Sequence, residues 1–453
     1  GATSGRSPAA SVTVDLTAPG APTIGAVIDD VGPGTGPLTN GQTTNDNQPT
    51  LTGTGAVGDT ISVYNNGTLL GSVVVGNTGT WSFTPPSSLA EGTHVLTIRE
   101  TDPAGNQSAP SAGFTVVVDT VSTTPVITNV TDDVGNTATT VVSGTPTNDA
   151  TPTLSGTAEA NSVVTIFDGG TQIGVVTADG TGAWTFTPET ALAEGSHSFT
   201  AQATDPQGNV SAVSGAWSVV VDLTAPTVPT LDTVNDNVPG GITGNLTSGQ
   251  VTNDSTPTIG GTGQAGSTIH IMNNGTQIGT AIVDGSGNWS FTPTTPLVDG
   301  SYALRVYATD VAGNASANSS VFTFTVDTAG PVVPVVTSVI DDIAPVTGTL
   351  TSGNTTNDAR PTFNGTGDVG STVHVIVDGN EIGTAVVNAQ GNWTFTPGSD
   401  LSDGPHAITF NATDAAGNTG STTAPFNLTV DTGVPSAPVI STAADNVGSV
   451  QTP

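Results

Sequence analysis

A run of alternating apolar residues that closes on Val-Asp recurs along this chain at an almost fixed interval. The aspartates are Asp15, Asp119, Asp222, Asp327 and Asp431, spaced 104, 103, 105 and 104 residues apart. Solenoid units repeat every ~20–50 residues, so a period this long describes a whole domain and not one turn of a superhelix. It divides the 453 residues into four complete copies, 16–119, 120–222, 223–327 and 328–431. Residues 1–15 match only the last strand of a preceding copy, and 432–453 only the start of a following one, as expected of an excerpt from a longer array.

Within the first copy the apolar residues alternate in short runs separated by Gly, Pro, Asn and Asp, with no helical period. These runs predict seven strands: A at Pro22–Ile28, B at Pro49–Gly53, C at Thr60–Asn65, D at Leu69–Val75, E at Thr80–Thr84, F at His94–Glu100 and G at Phe114–Val118. The Asn66-Gly67 dipeptide between C and D favours a tight hairpin, with counterparts expected at Asp168-Gly169, Asn274-Gly275 and Asp378-Gly379. Seven such strands in about 100 residues describe an immunoglobulin-like sandwich. The expected fold is therefore all-β, a rod-like tandem array of four seven-stranded Ig-like β-sandwiches.

Strand E carries Trp-x-Phe in every copy: Trp81/Phe83, Trp184/Phe186, Trp289/Phe291 and Trp393/Phe395. Residues two apart share a strand face, so both rings point the same way, toward the core. Trp217 stands in strand G where other copies carry Phe114, Phe322 and Phe426, which also favours packing. His94, His197 and His406 share one position at the start of strand F, where the third copy has Tyr302. A site that accepts Tyr for His suits a structural hydrogen bond better than catalysis.

Charged residues are 9% of the chain, yet the net charge is −33, because 37 acids stand against Arg6, Arg99, Arg305, Arg360 and no lysine. Phosphate binding needs clustered cations, which excludes nucleic acid and anionic membrane as partners. No stretch approaches 18 apolar residues, so no insertion of this segment into a membrane is expected. Cysteine is absent, which removes disulfides and thiolate metal sites. A bound hard cation is the staple left for small β domains of this composition.

The acids repeat in register. A pair follows strand A: Asp29-Asp30, Asp132-Asp133, Asp236-Asn237, Asp341-Asp342 and Asp445-Asn446. Thr-Asn-Asp precedes strand B, ending in Asp46, Asp149, Asp254 and Asp358. An acid-Gly pair before strand F supplies Glu91, Glu194, Asp299 and Asp403. Between F and G lies Thr-Asp-x-x-Gly-Asn, with Asp102/Asn106, Asp205/Asn209, Asp310/Asn314 and Asp414/Asn418. In an alternating sandwich the A–B and E–F loops share the C-terminal pole with the end of G, and the F–G loop lies at the other pole. The acids of one copy and its linker aspartate therefore face the F–G loop of the next. Such a set repels itself without counter-ions, and Ca2+, which takes about 6–8 oxygen ligands, suits it better than magnesium, which keeps more water. The Thr-Asn-Asp acids are the weakest candidates, because Asx residues also serve as ordinary turns. Ligands drawn from two domains and their linker would lock the hinge, and extracellular modules bind calcium at roughly 0.1–1 mM.

VDLTAP (Val14–Pro19 and Val221–Pro226), NWSFTP (Asn288–Pro293), ATDVAGN (Ala308–Asn314) and the Asp-Asp-Val after strand A together resemble the bacterial Ig-like repeats of giant type I-secreted adhesins and biofilm-associated surface proteins. The resemblance covers essentially the whole chain. It implies an extracellular, cell-surface stalk, rigidified by calcium, that projects a distal binding region and folds after export. Copy three departs from it at Asn237, and the loop after Asp133 lacks the Leu-Thr-x-Gly of the other copies. Two other functions stay open: homotypic packing of arrays into a matrix or filament, and direct binding of host or matrix polysaccharide. An enzyme is not expected, since the acids recur in every copy instead of forming one unique cleft.

Overall fold

A computed structural model of the chain describes residues 5, 10–135 and 138–443. Arg6, the segment after Asp133 at 136–137 and the pair Asp445-Asn446 lie outside the described residues. Within them the chain forms strands and no helix, so no helix is long and apolar enough to cross a membrane. Two compact units, residues 1–224 and 225–453, each hold two copies of the repeat.

Copy one contains β1 (Ala26–Asp29), β2 (Gly36–Pro37), β3 (Thr43–Thr44), β4 (Thr50–Thr54), β5 (Thr60–Asn65), β6 (Thr68–Val74), β7 (Thr80–Phe83), β8 (Gly92–Thr101) and β9 (Phe114–Val118). They build a four-stranded sheet in the order β2-β1-β4-β7 and a five-stranded sheet in the order β3-β9-β8-β5-β6. The other three copies repeat both orders. Each sandwich thus has nine strands where seven were expected. The two additions, β2 and β3, are two residues long, too short to show any period. β3 runs parallel to β9, pairing Thr43 with Val117 and Thr44 with Val118. Residues 10–15, expected as a last strand, form none: a lone strand has no ladder to join.

The hairpin between β5 and β6 turns on Asn66 and Gly67, at φ 49° and 83°. Both central residues of a type I′ turn need positive φ, which explains the Asn-Gly pair. In copy two the turn falls on Gly169 and Gly170, φ 55° and 85°, one residue later than expected, because the strand there extends through Asp168.

Alternate residues of the strands fill one core per copy. In copy one Val27, Leu51, Ile61, Val63, Leu96, Ile98 and Val116 are fully buried, each worth about 1.5–3 kcal/mol relative to exposure. Trp81, Trp184, Trp289 and Trp393 retain 4%, 3%, 4% and 2% of their exposure, which makes them core anchors. Trp217 is partly buried and packs against the core of copy two. The indole of Trp81 lies against Gly53, where an added Cβ would meet Cζ2 at 2.6 Å. The four-way position of His94, His197, Tyr302 and His406 shares one bond in every copy. Each side chain reaches the carbonyl four residues upstream: His94 Nε2 to Ala90 at 2.7 Å, His197 Nε2 to Ala193 at 2.8 Å, Tyr302 Oη to Val298 at 2.9 Å and His406 Nε2 to Ser402 at 2.7 Å. Imidazole and phenol are interchangeable there because both can donate along the same line.

Candidate metal centre between copies one and two

The first acid of each pair turns inward. Asp29 accepts Thr44 Oγ1 at 2.5 Å and the Val31 amide at 2.9 Å. Asp132, Asp236 and Asp341 accept Thr147, Thr252 and Thr356 in the same way, each at 2.5 Å. Their partners Asp30, Asp133 and Asp342 are exposed. Asp46 accepts the Gln48 and Asp30 amides on its two oxygens, at 2.8 and 3.3 Å; burial, then the charges of Asp30 and Asp29, push its carboxyl up against those bonds. Asp149, Asp254 and Asp358 repeat the pattern. These acids hold the A–B connection onto its own sandwich.

The acids before strand F tie down the linker that follows. Glu91 accepts the Thr120 amide at 3.1 Å and its hydroxyl. Glu194 accepts Thr224 Oγ1 at 2.6 Å, Asp299 accepts Thr328 Oγ1 at 2.9 Å, and Asp403 accepts Thr432 Oγ1 at 2.8 Å. Asp403 is held below the usual carboxylate range by the Thr432 amide and hydroxyl. Asp15, Asp119, Asp222, Asp327 and Asp431 each accept an amide two residues on, closing an Asx turn that in the last four directly follows the final strand of a copy.

The F–G loop is folded around its own aspartate. Asp205 accepts the amides of Gln207 and Asn209 at 2.9 and 2.8 Å and the Asn209 carboxamide at 2.7 Å. Asp102 with Asn106, Asp310 with Asn314 and Asp414 with Asn418 are built alike. The Asn106 side chain holds Asp102 below the usual range. The carboxamide also reaches into the linker: Asn106 Nδ2 donates to the Asp15 carbonyl at 3.0 Å, Asn209 Nδ2 to Asp119 at 2.8 Å and Asn418 Nδ2 to Asp327 at 2.7 Å.

At the junction of copies one and two these pieces meet. One carboxylate oxygen from each of Asp119, Glu159 and Asp205 lies within 4.8 Å of the others. Asp205 is buried, and the other two are half-buried. Burial raises the Asp119 carboxyl, and the charges of Asp205 and Glu91 raise it further against a bond from the Val121 amide. The donor set is entirely hard oxygen, which fits a calcium-type cation. Asp29 stands farther off, beside a cavity of about 390 Å3 that it shares with Thr44 and Asn45 of copy one and Pro206 and Gln207 of copy two. The loops therefore converge as the strand directions require, but the close carboxylates are fewer than the four motifs suggested.

Glu159 was not among the sequence candidates. It occupies the loop before Val163–Asp168 and accepts the Thr123 amide at 3.2 Å. Its equivalents are Ala56, Gln264 and Asp368, so an acid stands there in copies two and four and not in every repeat. Asp368 does the same work in copy four, accepting the Val332 amide at 2.8 Å. The available signal was the pole: that loop opens beside the F–G loop.

Copy by copy, residues 22–120, 124–223, 227–328 and 335–432 match a family described as a bacterial Ig-like domain. Exoglucanase B of Cellulomonas fimi is 32% identical over 264 residues, covering 57% of this chain and 22% of the relative. Exoglucanase A of the same organism is 36% identical over 129 residues, 27% of this chain and 13% of the relative. The chain thus spans less than a quarter of these relatives' length. A tetra-tandem repeat from the extending region of a large adhesion protein is 22% identical, over 86% of this chain and 98% of that one, with a TM-score of 0.32. The BSP domain of a biofilm-associated protein is 14% identical, over 87% and 96%, with a TM-score of 0.17. With four successive matches spanning most of its length, the chain belongs to the bacterial Ig-like domain family.

Proposed function

We propose that this chain is a calcium-rigidified stalk segment of a large bacterial surface adhesin. In that role it serves cell adhesion or biofilm formation outside the cell by projecting a distal binding region. The observation that carries this reading is the approach of Asp119, Glu159 and Asp205 from a linker and two loops of the next copy. Three carboxylates this close repel while ionised, and the chain has no lysine and only four arginines to offset them. Calcium bound there supplies positive charge and links copy one to copy two. Asn209 orients the linker, Asp205 is held by its own loop, and Glu91 adds negative charge from copy one.

Small-angle scattering of the chain with and without millimolar calcium tests this. Lengthening and stiffening on addition supports the reading; identical curves remove it. A second reading, homotypic assembly, draws on Val74, Ile282 and Val386, which are 60%, 73% and 66% exposed at one position of the edge strand in three copies. An exposed apolar edge invites pairing with another chain, and sedimentation that depends on protein concentration but not on calcium would favour it.

A further inference from the structure

We infer that copy three carries a binding groove for a neutral polysaccharide on the outer face of its five-stranded sheet, a site independent of the stalk reading. An open groove of about 600 Å3 lies there, floored by Ala303, walled by Met272, Arg305 and Tyr307 of the sheet and closed on the far side by the loop bearing Ser316 and Asn318. That volume is within the roughly 300–1,000 Å3 of small-ligand sites. Ala303, Arg305 and Tyr307 are alternate residues of Gly300–Thr309, so they share the outward face. The strand Phe322–Val326 pairs only as far as Leu304, opposite Phe322. Beyond it the loop takes the strand's place: Ser316 Oγ accepts the Ala308 amide at 2.9 Å, and Ser319 Oγ accepts the Val306 amide at 3.0 Å.

Tyr307 is fixed in orientation. His270, on the neighbouring strand, stacks flat on its ring, with centroids 4.6 Å apart and planes 7° from parallel. The imidazole is itself held at both nitrogens, by Gln277 at 2.9 Å and Thr309 Oγ1 at 2.9 Å. In copy four His374 has similar bonds to Glu381 and Thr413 but is paired with Asn411 in the ladder. At the positions of Arg305 and Tyr307 the other copies carry Thr97/Arg99, Thr200/Gln202 and Thr409/Asn411. The stacked His270–Tyr307 pair is therefore particular to copy three. A ring held in advance loses little freedom on binding.

The chemistry of the walls selects the ligand class. In a chain with 37 acids, no carboxylate lines this groove, and one of only four arginines does. A cation therefore meets no anionic ligand there and one opposing guanidinium. An acidic polymer meets a net charge of −33 with a single guanidinium in its favour. A neutral sugar chain matches what remains: a ring for the apolar face of a pyranose, and carboxamide, hydroxyl and guanidinium groups for its hydroxyls. The open sides suit a polymer that passes through.

Native electrophoresis of the full chain in gels containing neutral glucans, with polygalacturonate as the acidic control, tests the site. The expected result is retardation by a neutral glucan that persists when calcium is chelated. Tyr307→Ala should weaken it at least roughly tenfold, the scale of losing an aromatic anchor, and Tyr307→Phe should preserve it. Asn318→Trp, in the exposed loop and outside the sheet, should block the groove with the fold intact by circular dichroism. No retardation by any neutral glucan, retardation unchanged in both Tyr307→Ala and Asn318→Trp, or retardation by polygalacturonate alone would each overturn the proposal. Persistence in chelator separates this outcome from that of the calcium sites.

Discussion

The side-chain amide of Asn209 donates to the main-chain carbonyl of Asp119 at 2.8 Å, although the two are 90 residues apart in sequence. The bond joins the loop of one sandwich to the tail of the one before it. Asn209→Ala should weaken that attachment by about 0.5–1.5 kcal/mol, the net worth of a hydrogen bond, with both cores intact. Hydrogen exchange at residues 119–123 checks it: faster exchange is expected there and unchanged exchange in the strands.

Asp205→Asn and Glu159→Gln should each lower calcium binding at the first junction. Titration calorimetry of the chain should show a weaker class of sites in either variant, with the remaining junctions unaltered. A binding isotherm indistinguishable from that of the natural chain would refute the assignment. Asp119→Asn should have a second effect in chelator, relieving the repulsion that Asp205 and Glu91 exert on Asp119.

That same repulsion sets a pH dependence. The Asp119 carboxyl is raised in the folded chain, so its ionisation costs stability. In chelator the first junction should be firmest below the ordinary carboxylate value of about 3.9 and should loosen as pH rises through the raised one. Calcium should abolish the loosening, and scattering across pH with and without the ion would detect both effects.

His406 has the opposite partner. Burial works to lower its imidazole, but bonds to the Ser402 carbonyl and to Asp378 outweigh burial and raise it. Asp378 is lowered by the Ala407 amide and by His406. The histidine's contribution is present below about 6.5 and lost as pH rises through its raised value; the aspartate's is present above about 3.9 and lost as pH falls through its lowered one. Copy four should therefore lose more stability on Asp378→Asn at pH 5 than at pH 8, measured by thermal unfolding.

Gly53→Ala should destabilise copy one by about 1–3 kcal/mol through overpacking against Trp81. Denaturant unfolding followed by tryptophan fluorescence would measure the loss, and an unchanged midpoint would mean the indole moves at no cost.

The sequence made the larger strands readable because their alternation is long enough to count: Thr60–Asn65 and Phe114–Val118 were expected with the bounds they have. β1 begins four residues later than expected, at Ala26, although the Gly25 amide just before it already donates to the Thr52 carbonyl at 2.9 Å. The candidate site was legible where it repeats, in Asp119, Asp205 and Asn209, and hidden where it does not, in Glu159. Turn chemistry and metal chemistry also use the same side chains. Only the contacts separate Asp29, spent on Thr44 and Val31, from Asp119, gathered with other charges.

The parallel pairing of β3 with β9 has a mechanical consequence. A sandwich pulled from its two ends must slide Thr43 and Thr44 along Val117 and Val118, with the Asp119 amide on the Thr44 carbonyl at 2.9 Å resisting beside them. Because the two strands point the same way, these bonds take the load side by side in shear and do not peel open one at a time. Tension along the chain thus falls first on a short patch of backbone next to the cluster of acids, so an ion held there would strengthen the grip where traction is greatest.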